Sequence, residues 1–135
     1  MSAKDRLHDT VVRALAKDGW TIVDEQVTVT VGERNLWIDI QAQKEVETST
    51  ILVEVKGFEN MRSPIDYFAD AVGKYLLYKT ALEFLNNRSP LYMAVSEEGY
   101  NGILSEVIGQ QVTQKLGIKL LAFVPEIEEI VQWTV

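Results

Sequence analysis

Residues 50 to 56 read Thr-Ile-Leu-Val-Glu-Val-Lys, a run nearly continuous in β-branched and apolar residues that Glu54 and Lys56 interrupt. Ile51, Leu52, Val53 and Val55 are what a central strand carries, and such a strand requires a sheet packed between other elements. Side chains two apart on a strand share a face, so Glu54 and Lys56 point together. Charges in that setting cost free energy unless they are paired or hold a metal ion. The fold must therefore bring a partner to this face.

The rest of the chain supplies the other layers. Residues 4 to 18 place Leu7, Val11 and Leu15 at helical steps with Val12 beside them, and Gly19 closes the segment as a glycine cap. From Trp20 to Val31 β-branched residues dominate, with a break at Asp24-Glu25-Gln26, which predicts one or two short strands. Residues 35 to 42 alternate Leu36, Ile38, Ile40 and Ala42 with Trp37, Asp39 and Gln41, and the polar stretch 44 to 50 reads as a hairpin turn. Ser63-Pro64-Ile65-Asp66 opens a long helix to about residue 86, with a cap serine, proline at the first position and an acid three residues on. A strand over 90 to 96, a helix over 97 to 116 weakened by Gly99, Gly102 and Gly109, and a buried strand over 118 to 124 follow; residues 127 to 135 stay ambiguous. The order predicts one mixed α/β domain over residues 1–135.

Strands 35 to 42 and 50 to 56 are symmetric about residues 46 and 47, which sets Asp39 opposite Glu54. Two carboxylates and Lys56 then converge on one face. A buried salt bridge between Lys56 and one carboxylate is the plainer reading. The second carboxylate leaves negative charge to be balanced, which Mg²⁺ does naturally, since it takes one or two protein carboxylates plus waters and phosphate oxygens.

Composition narrows the chemistry further. With no cysteine and His8 as the only histidine, thiolate sites and multi-histidine zinc centres fall away, so any metal would be oxygen-ligated. No apolar run reaches a membrane span and the start MSAKDRLHD is too polar for a signal peptide, so a cytoplasmic protein without membrane contact is expected. A net charge of −7 argues against strong non-specific nucleic-acid binding, although Arg34, Lys44, Lys56, Arg62 and Lys74 gather between residues 34 and 74.

Gly19-Trp20 after a helix, then Asp39-Ile40-Gln41-Ala42, then Val53-Glu54-Val55-Lys56 resembles the PD-(D/E)xK nuclease superfamily of restriction endonucleases and Holliday-junction resolvases. The whole chain is similar to the XisH family, the cyanobacterial fdxN-element excision controlling factors. That similarity is carried by His8, Lys17-Asp18-Gly19-Trp20, Asp39, Val53-Glu54-Val55-Lys56 with Phe58, Ser63, Gly73-Lys74-Tyr75, Leu91-Tyr92-Met93-Ala94-Val95 and Ile130-Val131-Gln132-Trp133.

The resemblance implies a restriction-endonuclease-like mixed sheet flanked by helices on both sides. It implies Asp39 and Glu54 as paired ligands of Mg²⁺ or Mn²⁺, and Lys56 as the lysine that positions the attacking water and offsets charge on the phosphate. Its implied partner is DNA or a recombination complex. Where the superfamily often has an acid on the first helix this chain has His8, with Asp5 and Asp9 nearby; His8 shares a face with Val12 and Leu15, so a place at the core's edge is as open as a functional one. Where a glutamine is common on the later helix it has Lys74, which either contacts phosphate or pairs with Asp70 four residues earlier. Ile38 stands where a proline often precedes the first acid. Gln41 shares the face of Asp39 and either bonds a bound water or is solvated.

Three functions are weighed: a metal-dependent nuclease, a non-catalytic accessory factor that binds DNA or a recombinase, and a structural domain whose Glu54-Lys56 pair sets sheet register. The five arginines, at 6, 13, 34, 62 and 88, form no recombinase-like cluster. Leu76 and Leu77 add apolar surface to the helix that carries Phe68, Tyr75, Tyr78 and Leu82, so a homodimer is expected.

Overall fold

The computed structural model describes residues 3–46, 49–57 and 63–134, with side chains from residue 7 onward. Phe58, Arg62, the side chain of Asp5 and the tip of the 44–50 turn lie outside the described residues.

Helix α1 (Ala3–Lys17) precedes β1 (Thr21–Val31), β2 (Arg34–Lys44) and β3 (Ser49–Lys56). Helix α2 (Pro64–Phe84), strand β4 (Leu91–Ser96), the short α3 (Glu97–Asn101), a 3₁₀ turn (Ile103–Ser105), α4 (Val107–Leu116), β5 (Lys119–Val124) and β6 (Glu129–Trp133) complete the chain. The six strands form one sheet in sequence order. β1, β2 and β3 are an antiparallel meander, β3, β4 and β5 are parallel, and β6 returns antiparallel to β5. The parallel steps need crossovers, which α2 and the α3–α4 segment provide.

Helices cover both faces. α1 buries Val11 and Leu15 against Ile40, Ala42, Val53, Val55, Ala94, Leu121 and Phe123. α2 buries Phe68, Ala71, Tyr75, Tyr78 and Leu82 against Leu52, Met93, Val95 and Leu120 on the other side. The Tyr75 hydroxyl donates to the Leu91 carbonyl at 2.7 Å and accepts from the Lys119 amide at 3.2 Å, tying α2 to β4 and β5. The buried run of β3 sits in the middle of this sandwich, as its composition requires.

Three helices end in the same device. After α1 the Trp20 amide bonds Leu15 O and the Gly19 amide bonds Ala16 O, with Gly19 at φ +92°. Asn87 and Asn86 repeat the pattern after α2, and Ile118 and Gly117 after α4. These paired bonds, with Asn86 and Gly117 also left-handed, satisfy the last carbonyls of each helix.

Of the one or two strands expected from Trp20 to Val31 there is one, β1, and the break at residues 24–26 survives as a bulge between Ile22 and Asp24 and as Gln26 at φ 59°. Two expectations are corrected, on the Ser63 cap and on the helix over 97–116. The Ser63 hydroxyl does not cap a backbone amide but donates to the Asp66 carboxylate at 2.8 Å. The helix expected over 97–116 is split by the 3₁₀ turn, and the chain's end pairs as β6. Of the two extra leucines on α2, Leu76 packs into the core while Leu77 is exposed, as is Phe84 one heptad on.

The split follows from packing as well as from weak helix formers. A Cβ on Gly109 would stand 2.1 Å from the Ile103 carbonyl oxygen, so α4 lies directly on the 3₁₀ turn. Gly109→Ala is expected to cost about 3 kcal/mol by forcing these backbones apart. Gly73, inside α2, has nothing within 4 Å of its would-be Cβ, and Gly73→Ala should stabilise by about 1 kcal/mol. Urea unfolding of the two variants checks the contrast in sign.

Candidate metal centre

The β2–β3 register runs from Lys44↔Ser49 to Ile40↔Val53, so its continuation sets Asp39 against Glu54. There the ladder gives way to side chains. The Val55 amide donates to Asp39 Oδ2 at 2.8 Å, and the Asp39 amide donates to Glu54 Oε1 at 3.3 Å. Each carboxylate is thus fixed by an amide on the neighbouring strand, and both are buried, with Asp39 6% and Glu54 2% exposed.

A bend makes room for them. On β1, Glu25 pairs with Ile40 and Val27 with Ile38, so Gln26, left-handed, faces Asp39 in the neighbouring strand. Ile40 packs with the α1 cluster, yet Ile38, on the same row, packs with the α2 cluster. The β1–β2 ribbon turns about Gln26 and Asp39 as it leaves β3. Non-glycine residues in this conformation store strain and cluster at functional sites.

Glu54 lies on the side of β3 that carries Leu52, which faces α2, and α2 delivers a cation to it. Lys74 Nζ is 3.1 Å from Glu54 Oε2 and 5.5 Å from the centre of the Tyr78 ring. This corrects the pairing with Asp70: the lysine reaches across to the sheet. Burial, then the charge of Asp39, push the Glu54 carboxyl up to about 7, against the opposing pull of Lys74. Burial draws the Lys74 ammonium down, but the charge and hydrogen bond of Glu54 outweigh it and leave its pKa raised. Burial and then the Glu54 charge raise the Tyr78 hydroxyl, while Lys74 opposes them.

The linkage has a definite sign. Between the ordinary carboxyl value of 4.5 and about 7 the native protein holds a proton that the unfolded chain releases. Stability from this group is full below 4.5 and falls as pH rises through 7. Against Glu54→Gln, which does not titrate, the wild type is expected to lose roughly 3 kcal/mol between pH 5 and pH 8. Urea unfolding of both at the two pH values checks this; a constant difference would contradict it.

Lys56 ends β3, half-buried, on the same side as Glu54 and opposite Val95 of β4. Gln41 is half-buried on β2 between Asp24 and Leu52. His8 meets Glu25 instead, with Nε2 2.7 Å from Oε1. That pair lies on the α1 side, because Glu25 is opposite Ile40. Ligand atoms of His8, Asp9 and Glu25 lie within 4.8 Å of one another, forming a second, more exposed group of metal-ligand type.

The sequence pointed to Asp39, Glu54 and Lys74 but missed Lys74's partner and Tyr78's place beneath it. The available signal was spacing: Lys74 and Tyr78, four apart, share a helical face that also carries core residues. The donors at Asp39 and Glu54 are carboxylate oxygens, and two buried acids against one paired lysine fit a hard divalent cation.

The fold and this centre define a mixed α/β domain with a buried carboxylate pair at the bend of its sheet. The XisH protein family matches residues 1–131, and the chain belongs to it. The structure is similar to that of an XisH family protein from Nostoc punctiforme PCC 73102, with 34% identity, a TM-score of 0.89, and coverage of 97% of this chain and 100% of that one. It is equally similar to a fdxN element excision controlling factor protein from Anabaena variabilis, at 34% identity and TM-score 0.89 over 96% of this chain and 98% of that one. No curated protein matches the chain. Among the described residues no helix is long and apolar enough to cross a membrane.

Proposed function

We propose that this chain is an excision controlling factor with a restriction-endonuclease-like fold, and that it hydrolyses DNA phosphodiesters with a divalent metal. The observation that carries this reading is the mutual anchoring of two buried carboxylates, Asp39 and Glu54, on backbone amides of adjacent strands. An ion pair alone needs one carboxylate; two acids held side by side make a ligand set.

Asp39 and Glu54 would hold Mg²⁺ or Mn²⁺. When bound, the ion supplies Lewis acidity to a phosphate oxygen and a water of lowered pKa. The amides of Val55 and Asp39 keep the carboxylates in place. Lys56, on the same side of β3, donates to the attacking water or a phosphate oxygen and offsets the charge that develops there. The Anabaena variabilis relative is described as a fdxN element excision controlling factor, and DNA in element excision is the substrate of this reading.

The test is cleavage of linear, branched and single-stranded DNA at low salt, with Mn²⁺ or with chelator; the protein is acidic, so weak affinity alone is uninformative. Metal-dependent nicking is expected. A second reading is an accessory protein that binds DNA or a recombinase without cutting, and the Lys74 ammonium on Glu54 favours it, since a cation already occupies that carboxylate. Inertness on every substrate, with an effect of Asp39 and Glu54 substitutions on excision in cells, would select it. Self-association through the exposed Leu77 and Phe84 of α2 belongs to either reading.

A further inference from the structure

We propose that Lys74 is a tethered counter-ion that occupies the cation position of the metal-free protein and must leave Glu54 before a divalent ion can enter. The inference rests on the reading of Asp39 and Glu54 as a metal pair and concerns the regulation of that site.

Lys74 Nζ takes Glu54 Oε2 at 3.1 Å, while Oε1 faces the Asp39 amide. A metal bound by Glu54 and a lysine left in that position would set like charges side by side in a buried setting, where screening is weak. The ammonium has a route out. Its side chain is 35% exposed whereas that of Glu54 is 3% exposed, so the head group can swing toward solvent on its helical stem without unpacking the sheet. The Tyr78 ring beneath it favours the inward position in the metal-free state.

The charge of the site differs between its two states. Without metal, the Lys74 ammonium on Glu54 offsets one of the two buried acids. A divalent ion held by Asp39 and Glu54 would balance both carboxylates by itself, which makes Lys74 surplus. Lys74 thus holds the site closed to metal until the ion displaces it from Glu54.

Mn²⁺ binding measured by calorimetry and electron paramagnetic resonance at pH 8 tests the proposal on wild type, Lys74→Met, Lys74→Gln and Lys74→Arg, with Asp39→Asn as the site control. The two neutral variants are expected to bind Mn²⁺ at least about tenfold more tightly than wild type, with a larger rise in melting temperature, and Lys74→Arg is expected to stay near wild type. The glutamine variant guards against a packing defect at methionine. Equal or weaker Mn²⁺ binding by both neutral variants, with wild-type binding lost in Asp39→Asn, overturns this inference alone. Absence of Mn²⁺ binding in every chain at millimolar metal overturns the metal pair and this inference with it.

Discussion

With Mn²⁺ at low salt, Glu54→Gln and Lys56→Ala are each expected to lower DNA cleavage by about a hundredfold or more while keeping the fold. The carboxylate contributes a ligand and the lysine contributes charge where negative charge grows on the phosphate. Each loss therefore falls on the transition state more than on ground-state binding. Folding should survive both changes for separate reasons. Glutamine keeps an acceptor for the Asp39 amide and removes a carboxylate that burial penalises, so Glu54→Gln should be at least as stable as wild type at pH 8. Lys56 is half-buried at the end of β3, where alanine removes a charged head without opening the central core. Circular dichroism and melting alongside the cleavage assay separate lost chemistry from lost structure. Full activity in either variant would remove that residue from the mechanism.

Divalent metal is expected to stabilise the wild type and leave Asp39→Asn unmoved. An ion that binds only the native state adds about 2.7 kcal/mol at a hundredfold excess over its dissociation constant. In a domain of this size that corresponds to roughly 10 °C in melting temperature. Asparagine preserves an oxygen for the Val55 amide but removes the charge that attracts the metal, so the strand geometry persists while the ligand set is halved. The increment should also be smaller at pH 6 than at pH 8, because metal must displace the proton that Glu54 holds up to about 7. Equal shifts in the two proteins would place the bound ion elsewhere, with the His8, Asp9 and Glu25 group the obvious alternative.

The opposition of Asp39 and Glu54 was legible because a two-stranded antiparallel hairpin has one centre, and the alternation of Ile38, Ile40 and Ala42 together with the run from Ile51 to Val55 fixes where it lies. α1 and α2 were legible for a similar reason, since their apolar residues repeat at the helical period and their ends carry Gly19 and Pro64. The reach of Lys74 was not. It depends on how α2 settles across β3, and within α2 the four-residue step back to Asp70 fits a surface pair as well as the step on to Tyr78 fits a lysine aimed at the sheet. The left-handed turn at Gln26 was hidden too, because its residue type does not call for it and the neighbouring strands impose it. Gly109 looked like a weak helix former, whereas its lack of a side chain lets α4 touch the 3₁₀ turn. β6 was ambiguous in the sequence because an edge strand is half solvated; Glu129, Val131 and Gln132 are exposed, and only Ile130 and Trp133 lean on the core.

Anomalous diffraction from crystals soaked in Mn²⁺ at pH 8 tests the account most directly. It predicts a manganese peak between the Asp39 and Glu54 carboxylates, within roughly 2.0 to 2.3 Å of an oxygen of each, with the Lys74 side chain turned away from Glu54. A peak confined to His8, Asp9 and Glu25, or none at saturating metal with Lys74 still on Glu54, would contradict it.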